Sequence, residues 1–83
     1  MDVRIEELIA IGASITANCK PCLEYHVAKA KENGANDQEI AEAVAVGKMV
    51  RKGAASKMDE FIPAVLKGTH ADENSSEGGC GAT

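Results

Sequence analysis

The chain has 83 residues and a mass of 8.6 kDa, which allows one small domain of marginal stability as a monomer. Apolar residues make up 45% of it, yet Tyr25 and Phe61 are its only aromatic residues, so the core has to be aliphatic and rich in alanine. The net charge is −4, and the acidic excess lies in residues 72–83. No long apolar run occurs, which excludes a membrane span, and the first residues lack the pattern of a secretory signal. The lack of a basic stripe argues against nucleic-acid binding. We therefore expect a cytoplasmic protein.

The first part of the sequence predicts two helices. Apolar residues recur at helical intervals over residues 3–17, and the second half of this segment is almost wholly apolar, so this helix needs cover on nearly every side. Asn18 is a cap-like residue, and Pro21 is typical of a first helical turn. We expect the second helix to begin there and to run to Asn33, with Gly34 as its stop signal.

A longer apolar stripe predicts a third helix, with Asn36 or Asp37 as its N-cap. The stripe continues at steps of three and four through Ile40, Val44, Gly47, Val50, Ala54, Met58 and Phe61. A helix over residues 38–62 would be longer than a domain of this size can flank by itself. We therefore expect either a break near residues 53–56 or a helix that reaches a neighbouring subunit. Pro63 should interrupt the helix, with at most one further turn after it.

These elements predict an all-α fold without repeats or strand-like alternation. The helical domain should occupy residues 1–69, and an acidic, Gly/Ser-rich flexible tail should occupy residues 70–83. Three or four short helices cannot cover a nearly all-apolar first helix. We therefore expect the domain to assemble into a homo-oligomer.

The chemistry of the sequence is concentrated in a C-x-x-C motif, Cys19 to Cys22, at the predicted start of the second helix. Unpaired N–H groups and the helix dipole favour a thiolate at this position, and such cysteines have a pKa below the free value of about 8.5. His26 follows Cys22 by four residues and shares its helix face, so the imidazole can take the thiol proton directly or through a water. The pattern favours a redox-active dithiol.

Two other interpretations of the motif stay open. Cys19, Cys22 and His26 are acceptable zinc ligands, and His70, Cys80 or an acid of the first helix would have to complete that site. The two cysteines would otherwise be an inert pair of small buried side chains. A packing role is favoured for Tyr25 over a catalytic hydroxyl.

The chain resembles a known family over residues 4–62. Glu7 precedes Cys19 by twelve residues, the C-x-x-C-x-x-x-H motif ends at His26, and the run Asp-Gln-Glu-Ile-Ala-Glu-Ala-Val follows at residues 37–44. This combination resembles the carboxymuconolactone decarboxylase family, and within it the branch typified by alkylhydroperoxidase D. The resemblance implies an all-helical subunit that assembles into trimers or hexamers. It also implies a thiol peroxidase that uses no cofactor.

The resemblance assigns roles to four residues. Cys22 would attack the hydroperoxide after activation through His26, Cys19 would be the resolving thiol, and Glu7 would anchor the proton relay. Rapid capture of a sulfenic acid by the second thiol prevents further oxidation. The partners implied are a hydroperoxide and an external dithiol or disulfide reductant, so a general disulfide reductase is also consistent. Lactone decarboxylation, with Glu7 and His26 as acid and base, ranks lower because decarboxylases of the family generally lack the cysteine pair.

Overall fold

The described part of the chain is built from three helices. In a computed structural model of the protein, residues 1–68 are described. The helices are α1 (Val3–Thr16), α2 (Lys20–Glu32) and α3 (Asp37–Leu66). No strand occurs within these 68 residues, which confirms the predicted all-α class.

The chain divides into two compact units, Met1–Gly53 and a second that begins at Ala54. The first unit contains α1, α2 and the first part of α3. The described part of the second unit is the remainder of α3 and the residues that follow it, to Gly68. The predicted tail at residues 70–83, with His70 and Cys80, lies outside the described residues. Among the helices that are described, none is long and apolar enough to cross a membrane.

The turn between α1 and α2 is fixed by backbone hydrogen bonds. Asn18 adopts a left-handed conformation with φ of 56°, and its N–H donates to the carbonyl of Ile15 at 3.1 Å. The N–H of Cys19 donates to the carbonyl of Ser14 at 3.0 Å. These two bonds form a Schellman motif, in which the left-handed residue ends the helix.

This turn corrects the expected start of α2. Asn18 was predicted as its N-cap, but Asn18 ends α1, and Cys19 is the N-cap residue of α2, with φ of −104° and ψ of 99°. Asparagine serves in both positions, because its short polar side chain is accepted at N-caps and tolerates the left-handed conformation. The sequence alone does not distinguish the two uses.

A second turn of the same kind joins α2 to α3. Gly34 has φ of 93°, and the N–H of Ala35 donates to the carbonyl of Ala30 at 2.9 Å. The side chain of Asn36 then accepts from the N–H of Glu39 at 2.8 Å, and Glu39 Oε1 accepts from the N–H of Asn36 at 3.0 Å. This reciprocal pair is a capping box, and it confirms the predicted stop at Gly34 and one of the two predicted caps of α3.

The core lies where the three helices meet within the first unit. Its buried apolar residues are Ile11, Ala30, Ala35 and Ile40, and Leu8, Leu23, Val27, Ala43 and Val44 pack against them. Gly12 and Gly47 mark a close approach of α1 and α3: a Cβ atom on Gly47 would lie 2.5 Å from the carbonyl oxygen of Gly12 and 2.8 Å from the Cβ of Ile15. The hydroxyl of Thr16 donates to the carbonyl of Gly47 at 3.2 Å, so the approach is also hydrogen-bonded.

The third helix differs from expectation in two respects. It does not break near residues 53–56, and Pro63 lies inside it rather than at its end. Glycine costs a helix only about 1 kcal/mol relative to alanine, and Ala54 and Ala55 are the strongest helix formers, so Gly53 is tolerated. Pro63 has no N–H to donate to the carbonyl of Asp59, but only Ala64, Val65 and Leu66 follow it in the helix, so the disturbance is confined to the helix end.

Much of the apolar surface of the first unit is not covered by the other described residues of that unit. Six large apolar side chains of α1 and α3 are exposed: Val3, Ile5, Ile9, Val46, Met49 and Val50. Several of them line an open groove of about 660 Å³. Only part of the apolar surface of α1 is therefore buried by the described residues of this unit, and oligomerisation stays a prediction.

Candidate active site

The two cysteines of the C-x-x-C motif form a disulfide at the start of α2. The Sγ atoms of Cys19 and Cys22 lie 2.07 Å apart, and their Cα atoms lie 5.3 Å apart. Cys19 is the N-cap residue, Pro21 follows in the first turn, and the side chain of Cys19 makes no capping hydrogen bond. Because the first N–H groups of a helix have no intrahelical acceptor, this end of α2 favours a negative charge. A thiolate released by reduction would be stabilised there.

A histidine–glutamate pair joins α2 to α1. His26 Nδ1 lies 2.6 Å from Glu7 Oε1, and the side chains are 28% and 16% exposed. An ionised carboxylate can only accept, so Nδ1 carries the hydrogen in this contact, and Nε2 of a neutral imidazole is left as a proton acceptor. Glu6 is exposed, and within residues 1–68 its side chain makes no hydrogen bond or ion pair. Glu7, the residue that matches the spacing of the family motif, is the one in contact with His26.

Helix geometry connects the two pairs. Cys22 and His26 are four residues apart in α2, so they lie one turn apart on the same face, with Cβ atoms about 5–6 Å apart. One water is enough to link a thiol to an imidazole at that separation. The four residues selected from the sequence thus come from α1, from the turn that follows it and from the first two turns of α2.

Tyr25 packs beside the histidine. Its ring is edge-on to the imidazole of His26, with centroids 5.1 Å apart and planes at 82°. Lys29 Nζ lies 5.8 Å from the centroid of the phenol ring, within the range of a cation–π contact. Tyr25 is nevertheless 57% exposed, so these contacts cover only part of its ring and its packing role stays a prediction.

One contact of this region was not found from the sequence. Arg51 of α3 donates from Nη1 to the side-chain oxygen of Asn18 at 3.0 Å and to the carbonyl of Ile15 at 3.4 Å. These acceptors lie at the end of α1 and in the turn that leads to Cys19. The residues are more than 30 positions apart, and no local pattern links them.

The residues proposed as metal ligands do not form a metal site in this state. The sulfurs of Cys19 and Cys22 are bonded to each other. In the part of the chain that is described, no group of three or more His, Cys, Asp or Glu side chains is arranged to hold a metal ion. The suggested further ligands, His70 and Cys80, lie outside the described residues.

The described residues form an all-helical domain with a C-x-x-C disulfide at a helix start and a histidine–glutamate pair one turn away. The profile of the carboxymuconolactone decarboxylase family matches residues 1–59, and the chain belongs to this family. This confirms the resemblance at the level of the family.

The chain is also similar to a curated protein from Paracoccus denitrificans, named "Uncharacterized protein 4 in cox locus". The two are 38% identical over 55 residues, which is 66% of this chain and 50% of that protein. The chain therefore spans about half the length of the curated relative that it matches. No solved structure matches the chain.

Proposed function

We propose that the protein is a thiol-dependent peroxidase whose redox centre is the Cys19–Cys22 pair. The observation that carries the proposal is the 2.6 Å contact between His26 and Glu7, because it fixes an imidazole on the helix face that also carries Cys22. Family membership and the disulfide support the proposal in a more general way. The same centre would act as a disulfide reductase if its oxidant is a disulfide.

The first step is oxidation of Cys22. Nε2 of His26 takes the proton of the Cys22 thiol, and Glu7 stabilises the imidazolium that results. The thiolate attacks one oxygen of the hydroperoxide and breaks the O–O bond. The alkoxide leaves with the proton held by His26 and departs as an alcohol, while Cys22 becomes a sulfenic acid.

The second step closes the disulfide. The thiol of Cys19 attacks the sulfur of the Cys22 sulfenic acid, an S–S bond forms, and water leaves. The product is the disulfide that the structure contains. An external dithiol then reduces it by two exchange reactions and returns both thiols. One hydroperoxide is reduced for each external dithiol oxidised.

The peroxidase proposal is tested by hydroperoxide consumption with a small dithiol as donor. Cys22→Ser should abolish turnover, because it removes the attacking sulfur. Cys80→Ser is the matched control, since it removes a thiol that has no assigned role, and it should retain the parent rate. Equal rates for Cys22→Ser and the parent would refute the proposal.

Metal analysis tests the rival interpretation. Protein purified without added metal should contain no stoichiometric zinc and should have two thiols at residues 19 and 22 that react rapidly after reduction. Stoichiometric zinc that protects both thiols from alkylation would contradict the redox proposal and favour a metal-binding module.

We also propose that the protein is a homo-oligomer, a trimer or a hexamer. The support is the apolar groove of the first unit, where Ile9 is 57% exposed and Val46 is 53% exposed. Contiguous apolar surface of this kind is typical of a surface that another chain covers. Light scattering coupled to size exclusion should give three or six times the chain mass of 8.6 kDa. A monomer at micromolar concentration would contradict this proposal.

A further inference from the structure

We propose that Arg51 is a positioning residue that holds Cys19 in place to form the disulfide with Cys22. Its guanidinium donates to Asn18 Oδ1 at 3.0 Å, in the turn before Cys19, and to the carbonyl of Ile15 at 3.4 Å, at the end of α1. The inference rests on the proposed function in one respect only, that the disulfide opens and closes. It does not depend on the oxidant being a hydroperoxide.

The geometry of the turn explains how a contact to Asn18 reaches Cys19. Asn18 is the left-handed residue of the Schellman motif, and Cys19 is the next residue, whose N–H is bonded to the carbonyl of Ser14. Cys19 thus belongs to the end of α1 and to the start of α2 at once. A shift of Asn18 moves the backbone from which the Cys19 side chain extends.

Arg51 matters most when the disulfide is open. In the oxidised protein the S–S bond itself ties Cys19 to Cys22. After reduction this tie is lost, and the turn is held by its backbone hydrogen bonds and by Arg51, which comes from another helix. A fixed turn keeps the Cys19 thiol close to Cys22, and it therefore raises the effective concentration of the resolving thiol. The expected consequence is that Arg51 stabilises the disulfide relative to the dithiol.

An electrostatic role would have the opposite sign. A positive charge near the cysteines stabilises a thiolate, which exists only in the reduced protein, so charge alone would favour the dithiol. Arg51 and Asn18 are exposed, and interactions of exposed charges are screened by solvent. The positional effect should therefore dominate, and the sign of the change on mutation distinguishes the two roles.

The test is the thiol–disulfide equilibrium of the full chain with glutathione. Two glutathione molecules reduce the disulfide and become one glutathione disulfide, so atoms and electrons balance. After acid quenching and alkylation, the tryptic peptide 5–29 reports both cysteines together, because Pro21 blocks cleavage after Lys20. This peptide does not contain Cys80.

Arg51→Ala should make the disulfide about fivefold easier to reduce, the size expected for the loss of two solvent-exposed and therefore weak hydrogen bonds from one charged donor. Lys52→Ala is the matched control. Lys52 is the next residue of α3 and is also exposed, and its side chain makes no hydrogen bond or ion pair within the described chain. Its equilibrium should equal that of the parent. An unchanged equilibrium in Arg51→Ala, or a disulfide that is harder to reduce, would overturn the inference.

A second variant separates positioning from general stability. Asn18→Gly keeps a residue that accepts the left-handed conformation but removes the oxygen that Arg51 binds. It should shift the equilibrium in the same direction as Arg51→Ala, and the double variant should change it less than the product of the two single effects. Fully multiplicative effects would contradict a shared contact. Helix content by circular dichroism must match the parent for all variants.

The outcome is separable from that of the proposed function. If the parent lacks peroxidase activity but Arg51→Ala shows the fivefold shift, the positioning role of Arg51 stands and the peroxidase proposal is refuted. If the parent has peroxidase activity but Arg51→Ala shows no shift, the peroxidase proposal stands and the positioning role of Arg51 is refuted.

Discussion

Replacement of Glu7 by glutamine tests the proton relay with almost no change in shape. The carboxylate of Glu7 accepts from His26 Nδ1 at 2.6 Å, and its side chain is only 16% exposed. Glutamine retains an oxygen acceptor, but it loses the charge that stabilises an imidazolium. Its amide can also donate to Nδ1, which would move the ring hydrogen to Nε2 and leave no acceptor for the thiol proton.

The magnitude follows from the contact that is lost. A hydrogen bond to a charged group contributes about 1.5–3 kcal/mol, and each 1.4 kcal/mol corresponds to a factor of about ten. Both side chains are less than one third exposed, so this contribution is not strongly screened. We therefore expect Glu7→Gln to slow the reaction of reduced Cys22 with hydroperoxide by about 10- to 100-fold.

The assay is a single-turnover reaction of the reduced protein with excess hydroperoxide, followed by stopped flow or rapid quench. Glu6→Gln is the matched control, because it makes the same change of charge one residue away at a side chain without a partner in the described chain. It should react at the parent rate. A Glu7→Gln rate within twofold of the parent, with unchanged helix content, would refute the relay.

The remaining predictions concern packing, capping and the resolving thiol. Gly47→Ala should destabilise the protein by about 1–3 kcal/mol in thermal unfolding, because its Cβ would lie 2.5 Å from a backbone oxygen. Gly53→Ala is the control, because an added Cβ there would meet no atom within 4 Å, and it should be neutral or stabilising. Equal melting temperatures of the two variants would contradict the close approach of α1 and α3. Asn36→Ala should cost about 1 kcal/mol, measured by urea unfolding, because the capping box is lost, and an unchanged midpoint would argue against the cap. Cys19→Ser should let a sulfenic acid accumulate on Cys22, where a 1,3-dione reagent traps it and mass spectrometry detects it, and a lack of adduct would exclude Cys22 as the attacking sulfur.

The helices were predictable because their signals are local. Apolar residues at steps of three and four identified all three helices, and Gly34 and Asn36 marked the junction of α2 and α3. The predicted N-cap of α2 was wrong, because Asn18 ends α1 and Cys19 is the N-cap. Which of these two roles an asparagine takes depends on backbone hydrogen bonds rather than on residue type. The expected break near residues 53–56 was wrong. The unfavourable helix propensity of Gly53 is only about 1 kcal/mol relative to alanine, and Ala54 and Ala55 beside it favour the helix.

The site was predictable where its members share a helix or a fixed spacing. Cys19, Cys22 and His26 follow from one helix face, and Glu7 was selected by the spacing of the family motif. The distance between Glu7 and His26 is set by the packing of α1 on α2, which no local pattern encodes. The contacts of Arg51 were missed for the same reason, since Ile15 and Asn18 precede it by 36 and 33 residues in the sequence.

The proposed activity requires that Cys19 and Cys22 are oxidised together by a hydroperoxide. Mass spectrometry of the tryptic peptide 5–29 from the reduced protein, before and after one equivalent of hydroperoxide, measures this oxidation. We expect this peptide to lose two hydrogens and to become resistant to alkylation at both cysteines. A peptide that keeps its mass and both reactive thiols, while hydroperoxide remains or is consumed elsewhere in the chain, would refute the peroxidase proposal.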